Sequence, residues 1–319
     1  MRYYTLLIDN QPIAKLNSKN PIAPRLVFNL GNYGDIAYSK PSSITLYNLP
    51  TSFFTNIDKF RNKIVHLMGG ISSEGFSKVQ GLTSTQTDTL YLGKVDNIVT
   101  SWQGRETIVT FLINSIGKVN NAKFVTQIDR GDKVADKVKQ LIDKYLEGKN
   151  YSVKIDTSAT NITANSLATV PLKPTKDTIE GLRYFNSVLT KFGLNLAVSG
   201  QNLTIRKIDD FSISKGEITI LAEELLTQPV AEAIDLVKIE IALNPGIMLF
   251  SKIKLPPNIP LAPSEDLSSA GIGQLIRTDV KGNLIMKGTY VVINVIHSGD
   301  SRNTDVSSWS TILLCQRQS

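Results

Sequence analysis

The sequence predicts a mainly β protein with an α+β part: two antiparallel β-barrel domains flanking a small α+β domain. Three observations carry that prediction. Short β-rich runs bounded by Gly, Pro and Asn fill the first third of the chain. Amphipathic helical patterns are concentrated in the middle, and β-rich runs return from residue 216 onward. The domains are placed at 1–116, 117–215 and 216–319, and 319 residues suffice for two or three separate cores.

In the first domain, "RYYTLLI" and "RLVFNL" read as strands, followed by the polar turn material "GNYGDIAYSKPS". "SSITLYNL" alternates, with Ile44, Leu46 and Asn48 on one face and Thr45, Tyr47 and Leu49 on the other. "TSFFTNIDKF" fits a short helix capped by Thr51 or Ser52, with Phe53, Phe54, Ile57 and Phe60 at helical spacing. "KIVHLMGG", "TLYLGKVDNIVTSWQG" and "RETIVTFLINS" are further strands, the last two joined by a turn at Gln103–Gly104. Trp102 beside that turn is expected to cover a barrel end.

The middle domain opens with an amphipathic helix whose apolar stripe is Val134, Val138, Leu141, Ile142 and Tyr145, closed by Gly148. The strand "YSVKI" and a polar loop lead to a second helix, capped by Thr175 and burying Ile179, Leu182, Phe185, Val188, Leu189 and Phe192. "LNLAVSGQNLTIRKI" closes the domain as a hairpin turning at Ser199–Gly200. In the third domain, "GEITIL", "DLVKIEIAL", "FSKIKL", "KGTYVVINVIHSG" and "WSTILLC" are strands. Between them lies a long proline-containing loop, 256–287, whose candidate assembly residues are Pro256, Pro260, Ile272 and Leu275. No fixed-period repeat links the two β regions, so any duplication between them is expected in structure alone.

Composition narrows the chemistry. A single Cys315 forms no intrachain disulfide, and His66 and His297 have no Cys or His companion at zinc-ligand spacing. The net charge of +7 is spread without a basic block, and no window is long and apolar enough to span a membrane. No phosphate-loop or dinucleotide pattern occurs, so no cofactor and no metal are expected. His297-Ser298-Gly299-Asp300 superficially resembles a catalytic set, but a triad is assembled by the fold and is seldom packed into one turn. Strand alternation puts Val292, Asn294 and Ile296 on one face and Ile293, Val295 and His297 on the other, with His297 at the strand end and Gly299-Asp300 in the turn. His297, Asp300 and Trp309 are therefore expected to be structural residues of a closing hairpin, with Trp309 and Cys315 packed on the second barrel. A non-enzyme is expected. The alternatives are a peptidoglycan hydrolase using His297 and a carbohydrate-binding module using Trp102.

Four segments, in order, resemble the baseplate hub proteins of contractile-tailed bacteriophages. They are "SSITLYNLP" through "LYLGKVDNIVTSWQGRETIVTF", then "TKDTIEGLRYFNSVLTKFGLNLAVSGQNLTIRK", then "ELLTQPVAEAIDLVKIEIALNPGIMLFSKIKL", and the closing "GTYVVINVIHSGDSRNTDVSSWSTILLC". In the last, Gly288, Tyr290, His297, Gly299, Asp300, Trp309 and Thr311 match the family pattern. The resemblance implies that the two barrels are tube-like and that three chains form a ring of pseudo-sixfold symmetry. Such a homotrimer joins a sixfold tail tube protein to a threefold spike protein, contacts other baseplate subunits, and passes DNA without reading its sequence. The implied location is the virion, after assembly in the host cytoplasm and without membrane insertion; related proteins occur in R-type pyocins and type VI secretion spikes.

Overall fold

The computed structural model describes residues 2–17, 20, 22–71, 89–114, 124–147, 151–172, 178–200, 202–208, 217–233, 235–256, 262–263 and 289–317. It is mainly antiparallel β-sheet with a small α+β part, and three hydrophobic core clusters organise it.

The first cluster of strands, barrel I, comprises β1 (Arg2–Ile8), β2 (Gln11–Leu16), β3 (Leu26–Tyr33), β4 (Ser42–Tyr47), β5 (Ile64–Ile71), β6 (Thr89–Gln103) and β7 (Glu106–Asn114). They run in the order β2-β1-β5-β6-β7-β4-β3, every pair antiparallel. Tyr4, Leu6, Phe28, Leu30, Ile44, Leu46, Leu67 and Phe111 fill the interior. Strand β2 was not expected from the sequence, yet its turn is legible: Asp9 and Asn10 take φ of 54° and 62°, as a two-residue hairpin requires. The alternation in "SSITLYNL" holds to Tyr47 and then breaks. Asn48 adopts φ 57°, so it points outward and Leu49 is buried on the face of Ile44 and Leu46. The segment after it is a one-turn helix α1 (Thr51–Phe54) followed by a 3-10 turn at Ile57–Phe60. Pro50, with no side-chain hydrogen bond, occupies the cap position in place of Thr51 or Ser52.

The α+β part contains β8 (Phe124–Ile128), α2 (Val134–Tyr145), β9 (Ser152–Ile155), β10 (Ala168–Leu172), α3 (Thr178–Thr190), β11 (Leu194–Ser199) and β12 (Asn202–Lys207). Val134, Val138, Ile142 and Tyr145 of α2 pack against Leu182, Phe185 and Leu189 of α3, over the strands. Gly148, Thr175 and the Ile179 side chain lie outside the described residues. Ile36, from the loop after β3, is buried in this second core. Polar bonds fasten the same loop: Arg183 donates to Ser39 O at 2.8 Å, and Asn186 donates to Asp35 Oδ1 at 2.9 Å.

Barrel II comprises β13 (Glu217–Thr219), β14 (Val230–Ala233), β15 (Leu236–Ala242), β16 (Lys252–Lys254), β17 (Ala262–Pro263), β18 (Thr289–Asp300) and β19 (Trp309–Arg317). Its sheet runs β16-β18-β19-β15, and the 217–226 segment bridges the ends. Strand β13 pairs with β16, and Leu225 bridges to Ile241. The expected face pattern of β18 fails because a bulge falls between Val292 and Asn294. The extra residue shifts the parity, so Tyr290, Val292 and Val295 share the core.

The two barrels are duplicates in local geometry. Strand β4 pairs with β7 as β15 pairs with β19, with Ile44 opposite Phe111 and Ile239 opposite Leu313. Strands β6 and β18 carry matching bulges, between Val95 and Asn97 and between Val292 and Asn294. The same clamp holds each bulge. Asn62 N–H donates to Val95 O, and Phe250 N–H donates to Val292 O, both at 2.8 Å. The return bonds, Val95 N–H to Lys63 O and Val292 N–H to Ser251 O, measure 2.9 and 3.0 Å. Asn62 and Phe250 both need positive φ to do this, 62° and 66°.

Candidate functional site

The feature that organises the molecule is the seam between its barrels. Strand β3 of barrel I pairs antiparallel with β18 of barrel II, from Tyr33 opposite Asn294 to Val27 opposite Asp300. The sheet is therefore continuous from one barrel into the other. Gly34 closes one end of the seam by donating to the bulge carbonyl of Ile293 at 2.6 Å and to Asn294 Oδ1 at 3.3 Å. A Cβ on Gly34 would lie 2.5 Å from that carbonyl, so only glycine permits the approach.

Arginines lock the other end. Arg25 makes two hydrogen bonds to the Asp300 carboxylate, at 3.1 and 2.6 Å, and its guanidinium lies over the Tyr47 ring. Asp300 Oδ1 also accepts the N–H of Arg302. Burial works to raise the Asp300 pKa, but these bonds outweigh it and hold the carboxyl below its ordinary value. Arg302 donates to Ala23 O, and Arg2 donates to the carbonyls of Asp300, Asn303 and Asp305. The closing loop is thus tied to barrel I at Asp300, Arg302, Asn303 and Asp305.

Trp309 crosses the seam. It belongs to the core of barrel I and not to that of barrel II, where the sequence placed it. Its ring meets Phe28 edge-on at 5.0 Å, its indole N–H donates to Gly70 O at 3.2 Å, and Arg2 sits over its face. Gly299 opposite it makes the room: a Cβ there would come within 2.4 Å of Phe28 and 2.7 Å of Trp309. Cys315 does pack in barrel II, where burial raises its thiol pKa.

His297 lies inside the strand, not at its end, because β18 continues to Asp300. It is flanked by Leu30 on β3 and Thr311 on β19. Only 2% exposed, it has Nδ1 at 2.9 Å from Thr311 Oγ1, which also accepts the N–H of Asn244. Burial pushes its pKa down to about 4, so the ring is neutral. The ring's hydrogen-bond partner is a hydroxyl, while the nearby carboxylate of Asp300 is committed to Arg25. A Ser-His-Asp set would need that carboxylate on the imidazole. Among the described residues no group of three or more His, Cys, Asp or Glu is placed to hold a metal.

Of the four loop candidates, Pro256 is half-buried just after β16; Pro260, Ile272 and Leu275 lie outside the described residues. Trp102 does not cover a barrel end. It is 70% exposed, near the tip of the β6–β7 hairpin.

No family model matches the sequence, and no curated protein matches it either. Solved structures do. The chain is similar to the 43 kDa tail protein of prophage MuSo2 from Shewanella oneidensis, with TM-score 0.53 and 7% identity, over 99% of this chain and 97% of that one. It has the fold of a tail protein. A tail protein from Neisseria meningitidis MC58 is also similar, with TM-score 0.50 and 6% identity, over 99% of this chain and 96% of its own. Both matches run through the two barrels and the part between them, so the tail-protein fold spans the seam as well.

Proposed function

We propose that this chain is a structural subunit of a phage tail, the hub that adapts a sixfold tail tube to a threefold spike. The observation that carries the reading is the duplicated barrel. One chain holds two barrels of matching strand geometry, joined edge to edge through β3 and β18. Three such chains supply six barrels, which matches a tube of six subunits on one side and a spike of three on the other. Tube protein, spike protein and other baseplate subunits are then its partners, and the channel lets DNA pass without base-specific contact. The structural role also accounts for Asp300, which bonds Arg25 across the seam, and for His297, which bonds Thr311 within barrel II. We assign the chain no catalysis and no cofactor, and we place it in the tail baseplate of a virion.

The test is association. Purified full-length protein is expected to form a trimer by mass measurement and to be retained by an immobilised spike or tube protein. A chain that stays monomeric and binds neither would overturn the reading.

A further inference from the structure

Among the described residues, one edge common to the two barrels is covered in one and open in the other. In barrel II, β16 pairs with β18 only over Thr289–Val291; beyond the bulge, β3 covers the same edge from Asn294 to Asp300. In barrel I, β5 pairs with β6 only over Thr89–Lys94. Beyond that bulge, the edge Asn97–Gln103 has no strand on it among the described residues, and residues 99–106 are all exposed. A row of unpaired backbone donors and acceptors on an ordered strand is a template for another strand.

The correspondence reaches single residues. "VDNIVTS" around one bulge matches "VINVIHS" around the other: Val95 with Val292, Asn97 with Asn294, Ser101 with Ser298. At the tips, Trp102 stands opposite Thr107, and Gly299 stands opposite Trp309. Each hairpin thus places one tryptophan at the same cross-strand pair. Trp309 is buried because barrel I lies against its hairpin, whereas Trp102 remains 70% exposed.

We infer that the Asn97–Gln103 edge is where a second copy of this chain docks, laying its Leu225–Ala233 segment along β6 as β3 lies along β18. That segment is the counterpart of β3. Strand β3 flanks β4, and Leu225–Ala233 flanks β15, through Leu225 opposite Ile241, Leu226 N–H on Glu240 O, and Val230 opposite Lys238. On the outer side Val230 and Ala231 pair in parallel with Ala262 and Pro263 of β17, so docking on β6 exchanges that pairing for one with the second copy. A second copy is the fitting occupant because one chain carries both halves of the contact. Barrel I offers the open β6 edge, and barrel II offers the β3 counterpart. Head-to-tail contacts of this kind close into a ring when the rotation from copy to copy closes, and the threefold ring proposed above is such a closure. The inference rests on the ring reading above and adds the edge that closes it.

The test compares the full-length chain with Trp102→Asp by sedimentation velocity, tryptophan emission and hydrogen exchange. The exposed position predicts an unchanged thermal melt. The wild type is expected to assemble, with blue-shifted emission and slow exchange at the amides of 97–103. The variant is expected to associate at least about tenfold more weakly, as loss of a central aromatic contact does. An assembly that survives Trp102→Asp with those amides still exchanging fast overturns the edge assignment and leaves the ring reading standing. A wild-type chain that is monomeric, with Trp102 protected only after a tail tube protein is added, overturns the second copy as occupant. A chain that neither assembles nor gains protection from any tail protein overturns both.

Discussion

At the residue scale, His297 makes a measurable statement about acid stability. An unfolded histidine titrates near 6.5, and this one titrates at about 4 in the fold. The unfolded state therefore takes up the proton first as pH falls. The contribution is complete above pH 6.5 and is lost progressively between 6.5 and 4, by about 3 kcal/mol in total. Urea unfolding of the wild type and His297→Gln at pH 7.5, 5.5 and 4.5 checks this. The stability gap between them is expected to narrow or reverse toward acid; parallel pH profiles would contradict it. Strand alternation led the sequence reading to a structural His297 at a strand end, whereas β18 runs on past it to Asp300. The sequence did not reveal that Asp300 is held by Arg25, since no local pattern links residues so far apart. Nor did it reveal that Trp309 leaves its own barrel. Gly299 was the available signal, because a glycine opposite a tryptophan marks a close approach.

At the scale of elements, the bulge clamp is the unit that both barrels reuse. Asn62 and Phe250 sit in the left-handed region so that the next residue can grip the bulged strand. Asparagine tolerates that conformation, and a β-branched residue does not. Asn62→Val is expected to lose about 1 to 2 kcal/mol, while Asn62→Gly stays within about 1 kcal/mol of wild type, as read by chemical denaturation. Equal losses in the two variants would mean that the Asn62 side chain, and not its backbone, matters. Most elements were legible because their apolar periodicity is strong: α2 follows its stripe from Val134 to Tyr145, and β4 alternates until Asn48. What escaped was set by single positive-φ residues and by bulges, which shift a pattern without changing composition. The duplication hid for the same reason. "VDNIVTS" and "VINVIHS" share their bulge and their asparagine, but the surrounding strands have diverged.

At the scale of the whole molecule, the order β, α+β, β was readable from the sequence, and the joint between barrels was not. Strand β3 and strand β18 lie at opposite ends of the chain, and nothing local to either announces the other. That joint nonetheless carries the functional argument, because it fixes two barrels side by side with their sheets merged. The middle part reinforces it: Ile36 is buried in the α+β core, Asn195 donates to Gly34 O at 3.1 Å, and Gly34 itself grips Ile293. Electron cryomicroscopy of the purified full-length protein tests this account most directly. Class averages are expected to show a threefold ring of six barrels around an open channel. Separate two-barrel particles, or an assembly without a central channel, would contradict it.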